Sequence, residues 1–153
     1  MKRQPVILII VLSFVVGCAS GIWLYSLYKT ENRKTKSEIF LLEAYNDYKD
    51  RNYYQAMLNL GGSIIFMKKQ YEAYLLLANI YEELDKPGLA LCTYKKAIPF
   101  MSVDNCYYAC RTMSNLEKKR YKKIIDIEKV QVLNKIKQLT TSKSVARPCM
   151  DQF

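Results

Sequence analysis

Cysteine is the residue type in this 153-residue chain whose chemistry stands out first, because histidine is absent and five cysteines are present. Without histidine the chain lacks the commonest general base, the commonest zinc ligand and the side chain that titrates unperturbed near neutral pH. Cys106 and Cys110 stand one helical turn apart and could share a face. A pair of thiols could exchange electrons, whereas zinc asks for about four ligands. The sequence therefore assigns no metal and no cofactor, and it keeps a redox role for Cys106 and Cys110 as an alternative to packing. Cys92 falls on an apolar helix face and is expected to be a small buried hydrophobe. Five cysteines without framework spacing fit a reducing compartment better than a disulfide scaffold. No glycine-rich phosphate loop, Walker motif or HExxH occurs, so no catalytic residues are expected and the chain is not read as an enzyme.

The elements around these residues are helical. Half of the chain is apolar, a quarter is charged, and glycine and proline number five and four. That composition excludes a disordered chain and argues against a turn-rich all-β fold. Gln4 to Tyr28 is an uncharged run of 25 residues. As a helix it would reach roughly 37 Å, enough for a hydrocarbon core of about 30 Å. Trp23, Tyr25 and Tyr28 close the run, and Lys29, Arg33, Lys34 and Lys36 form a basic collar after it. Val15-Val16-Gly17-Cys18 also reads as a lipobox, and Gly17-Cys18-Ala19 as a signal-peptidase site. The apolar run continues ten residues past Cys18, which favours a retained anchor. The surplus of cations after the run favours a cytosolic C-terminal domain. Ser13, Gly17 and Gly21 repeat every four residues, a small-residue face suited to dimerisation of two anchors.

Compared with itself at an offset of 34, the chain matches Phe40 to Tyr74, Ala44 to Ala78, Arg51 to Asp85 and Ala56 to Ala90. The second copy reads Tyr74-x-x-Leu77-Ala78-x-x-Tyr81, then Ala90-x-x-x-Tyr94-x-x-Ala97. Tyr74, Leu77, Ala78 and Tyr81 make one stripe of an amphipathic helix, and Lys86-Pro87-Gly88 breaks it before a second apolar face. Ala78 and Ala90 are small where the two helices cross closely. These residues resemble the tetratricopeptide repeat (TPR). The first copy is degenerate, with Glu43 and Asp47 at the family's leucine and tyrosine positions and Gly61-Gly62 weakening its second helix.

The expected fold is all-α, a short solenoid behind one transmembrane helix. Residues 1–29 form the anchor, 30–36 a basic stem, 37–70 the degenerate repeat and 71–104 the second repeat. Residues 105–139 supply capping helices, the first over 104–118 with Asp104 as its N-cap, and 140–153 a disordered tail. The last helix carries Tyr121, Ile125, Val132, Ile136 and Leu139 on one stripe.

The TPR resemblance implies a concave groove lined by the first helix of each repeat. The clamp that holds acidic chaperone tails is missing, because Leu41, Tyr45, Leu76, Cys106 and Cys110 stand at its positions. The implied groove is instead Leu41, Tyr45, Tyr48, Leu75 and Asn79, with Glu38, Glu72, Glu82 and Glu83 at its rim. An apolar floor with acidic edges suits a basic amphipathic helix, such as a mitochondrial targeting peptide. The domain order also resembles the small TPR receptor subunits of the mitochondrial outer-membrane translocase. The alternative is a bacterial inner-membrane or lipidated TPR scaffold. Nucleic acid is not the expected partner: the net charge of +10 divides into +5 over residues 1–36, −2 over 37–104 and +7 over 105–153. The basic cluster Lys118-Lys119-Arg120 with Lys122-Lys123 reads as the solvated face of the capping helix, or as a contact for anionic lipid or RNA.

Overall fold

The computed structural model describes the backbone of residues 4–102 and 113–141, and side chains over 20–102 and 113–141. Among the described residues the elements are helices, with no strand. They are α1 (Gln4–Lys49), α2 (Tyr53–Phe66), α3 (Tyr71–Glu83), α4 (Pro87–Ala97), a 3₁₀ turn over Ile98–Phe100, and α5 (Asn115–Thr141). The chain divides into two compact units, Met1–Thr35 and Lys36–Phe153.

Helix α1 continues through residues 30–36, which the sequence marks as a stem. No Gly or Pro interrupts residues 22–49, and the Thr30 and Thr35 hydroxyls donate back to the carbonyls of Ser26 and Glu31 at 2.8 and 3.2 Å. Among the described residues no helix is long and apolar enough to cross a membrane. The side chains of Ser13, Gly17 and Cys18 lie outside the described residues. Gly21 is described, and nothing lies within 4 Å of where its Cβ would be.

The second unit is built from two hairpins that repeat each other at 34 residues. Asn52 N–H donates to the Asp47 carbonyl and Arg51 N–H to Tyr48, at 2.8 and 3.0 Å. Lys86 N–H donates to Tyr81 and Asp85 N–H to Glu82 at the same two distances. Both are Schellman closures, in which a left-handed residue lets two N–H groups reach back to the last carbonyls. Arg51 and Asp85 hold that conformation, with φ of 60° and 52°. The Arg51–Asp85 match in the sequence is thus a match of backbone geometry, although the side chains have opposite charge. Pro87 opens α4, where its missing N–H costs nothing.

The alanines at the hairpin crossings, Ala44, Ala56, Ala78 and Ala90, are fully buried. One core joins Leu41, Ala44, Ala56 and Leu60 to Ala73, Leu76, Leu77 and Ile80. The other joins Tyr71, Leu75 and Ala78 to Ala90, Tyr94, Ala97, Met101, Ile125 and Val132. Helix α3 therefore serves both cores from opposite faces. This explains the looseness of the first repeat. Leu77 packs on the hairpin before it, whereas Glu43 is exposed on a face that nothing described covers. Asp47, where the family pattern wants tyrosine, accepts 2.8 Å from Asn59 Nδ2.

Gly62 has a packing reason, since an added Cβ would meet the Phe40 ring at 3.2 Å, whereas Gly61 faces open space. Phe40 in turn stacks on Phe66 with ring centroids 5.8 Å apart. Beneath them Ser37, Ser63 and Gln70 form a buried polar node. The Ser37 hydroxyl lies 2.9 Å from the Ser63 carbonyl and also contacts the Gln70 side-chain oxygen, which accepts from the Ser63 hydroxyl at 2.9 Å.

The helix expected over 104–118 is corrected where it is described. Met113 and Ser114 are not helical, and α5 begins at Asn115. Ser114 and Glu117 close a capping box, with Ser114 N–H and hydroxyl each 2.7 Å from Glu117 Oε2. Asp104, Cys106 and Cys110 lie outside the described residues. Cys92 is half-buried and disulfide-bonded, which corrects its reading as a small buried hydrophobe and runs against the reducing compartment expected from the cysteine spacing. Ile125 and Val132 are buried, with Tyr121, Ile136 and Leu139 packed beside them, and α5 runs two residues past the expected end at 139.

Candidate functional site

The groove residues are set out by helix periodicity. Leu41, Tyr45 and Tyr48 follow one another at i, i+4 and i+7 on α1, and Glu72, Leu75, Asn79 and Glu82 at i, i+3, i+7 and i+10 on α3. The structure separates them into two layers. Leu41 and Leu75 are 4% and 8% exposed and belong to different cores, so they lie beneath the surface and are not an accessible floor. The physical reason is that α1 packs on α2 and α3 through Leu41, while α3 packs on α4 and α5 through Leu75.

The remaining residues stay near the surface, and α5 joins them. Tyr45 is exposed over much of its area, at 41%. Burial, then the carboxylates of Glu72 and Glu128, raise its hydroxyl pKa. One aromatic on α1 thus senses a carboxylate on α3 and another on α5. Tyr48 is half-buried against Tyr53, with centroids 5.9 Å apart, and its pKa is raised by burial first and then by Glu83.

Glu72 is the most perturbed carboxyl here. Burial pushes it up to about 7 against the lowering effect of its own backbone N–H, and Glu128 adds to the rise. Its Oε2 is buried and has no hydrogen-bond partner among the described residues. Glu128 is itself raised by burial. The two carboxyls therefore share a poorly solvated place between α3 and α5.

Toward the C-terminal end of α3 the acid is already engaged. Lys135 Nζ sits 2.6 Å from Glu82 Oε2, 2.9 Å from the Tyr94 hydroxyl and 3.4 Å from Asn79 Oδ1. Tyr94 directs its own proton toward Asn79 at 2.6 Å and Glu82 at 3.0 Å. Its pKa is pushed up to about 12, chiefly by burial, with Lys135 opposing. Lys135 also lies 5.2 Å from the centre of the Tyr94 ring. Asn79 and Glu82, two expected ligand contacts, are thus bound by the chain's own lysine.

The open surface is therefore Tyr45 and Glu83 with part of Tyr48, and the half-buried carboxyls of Glu72 and Glu128 lie near Tyr45. Three of the residues that shape it, Tyr94, Glu128 and Lys135, were not among the expected ones. Tyr121, Glu128 and Lys135 recur at seven-residue steps beside the buried stripe of α5, a periodicity that marks them as facing the repeats. Among the described residues no group of three or more His, Cys, Asp or Glu could hold a metal ion. The arrangement offers carboxylates and aromatic rings for binding a cationic, partly apolar segment. No protein-family model, curated protein or solved structure matches this chain.

Proposed function

We propose that this chain is a membrane-anchored adaptor or receptor of TPR type that binds a basic amphipathic segment of a partner protein on the α1–α3–α5 surface. The observation that carries the reading is the exposed ring of Tyr45 within electrostatic reach of Glu72 and Glu128, next along α1 to a half-buried Tyr48 that feels the exposed Glu83. Carboxylates meet the cations of such a segment, and the rings meet both its apolar side and its guanidinium groups. The TPR assignment is supported by the 34-residue recurrence of both the alanine crossings and the Schellman turns. The anchor is supported by the uncharged run from Gln4 to Tyr28 and the cations after it. A mitochondrial targeting peptide has the chemistry this surface asks for.

The experiment is a titration of a fluorescent, arginine-rich amphipathic peptide against the full chain in detergent. Tyr45→Ala or Glu83→Lys should weaken binding by about tenfold. Lys119→Ala should leave it unchanged. Leu75→Ala is not a test of the site, because the buried leucine acts through folding. Equal binding by the wild type and by the Tyr45 and Glu83 variants would place the site elsewhere.

A further inference from the structure

We infer that the outward face of α5 is a second binding surface, one that docks on an anionic phospholipid layer. Leu116, Ile124, Ile127 and Val130 are each more than half exposed. At about 100° per residue they fall on one arc of roughly 140°, on the side of α5 away from Ile125 and Val132. The same arc carries Lys119, Arg120, Lys123 and Lys137, all exposed. Glu117 and Asp126 flank it, each about 20° beyond an edge, and Glu128 lies further round toward the repeats. A helix face that mixes aliphatic residues with cations and keeps carboxylates at its margins is the composition of a helix lying in a headgroup layer.

Charge and shape decide between occupants. A second copy of α5 would set cations against cations. Single-stranded RNA is held by stacking on aromatic rings as well as through its phosphates, and the aromatic residue of α5, Tyr121, is packed on the inner side. Branched aliphatic residues flanked by lysine and arginine complement an anionic bilayer surface. This face is separate from the groove, and the inference does not depend on what the groove binds or on whether residues 4–28 span a bilayer.

The test uses the full chain with Trp23→Phe and Ile127→Trp, so that the reporting indole sits on the face. It is mixed with vesicles of phosphatidylcholine alone or enriched in phosphatidylserine. The expected result is a blue-shifted emission, quenched by brominated acyl chains, in the phosphatidylserine vesicles only. Reversing Lys119, Arg120, Lys123 and Lys137 to Glu should abolish the response. Reversing the exposed Lys49, Lys68, Lys69 and Lys95, which lie off the face, should not. The milder Lys119→Gln/Lys123→Gln pair should lose about half of the quenching, and it stands in should the full reversal disturb the helix. An equal response in both lipids, or one unaffected by either change on the face, would overturn the inference. A response to single-stranded RNA with none to vesicles would overturn it in favour of nucleic acid.

Discussion

The two adjacent glycines of α2 show how far a residue's type can mislead without its neighbours. Both should weaken a helix, yet only Gly61 has open space around it, while Gly62 lies against Phe40. Gly61→Ala should therefore raise stability by about 0.5–1 kcal/mol. Gly62→Ala should lose that gain to the displaced ring, and thermal unfolding of the two variants checks the contrast. Glu72 gives a second prediction. Its folded pKa, about 7, lies above the ordinary carboxylate value, so the protonated form is the one that favours the fold. Its contribution is complete below about pH 4.5 and is lost as pH rises through 7. Stability should fall on the order of 1–3 kcal/mol between about pH 5 and pH 8, and Glu72→Gln should flatten the fall. Affinity for a cationic peptide should move the other way, strengthening as Glu72 and Glu128 ionise.

At the scale of the element, what could be read from sequence depended on whether the signal was local. The hairpin turns were legible because Lys86-Pro87 and Asp50-Arg51-Asn52 interrupt strong stripes, and α5 because its apolar residues recur on one face. The start of α5 is marked by a local signature, Ser114-x-x-Glu117, that stands ahead of the apolar stripe and is not part of it. The engagement of Asn79 and Glu82 could not be read locally at all. It depends on Lys135, more than fifty residues away, arriving over α3. Lys135→Ala should accordingly loosen α5 from the repeats. Lys135 and Glu82 are both partly exposed, so the loss should be only about 1 kcal/mol, read as faster hydrogen exchange in α5.

For the whole molecule, the distribution of charge matters more than its sum. A net charge of +10 suggests a nucleic-acid binder, yet the repeats carry −2 and the cations gather before and after them. The same chain thus places carboxyls near Tyr45 and Tyr48 and cations on the outward face of α5. The residues expected to line a groove divide by burial: Tyr45 is exposed and Tyr48 and Glu72 are half-buried, whereas Leu41 and Leu75 were drawn under by cores that only the three-dimensional packing defines. The central claim is that the groove takes a basic amphipathic segment, and its location is tested most directly by photo-cross-linking. A synthetic arginine-rich amphipathic peptide bearing a photoreactive group would be bound to the full chain, and the attachment sites read by mass spectrometry. The account predicts attachment at Tyr45, Tyr48 and Glu83, competed away by unlabelled peptide. Attachment along the exposed stripe Tyr54, Leu58 and Ile65 of α2, or label that unlabelled peptide does not displace, would contradict it.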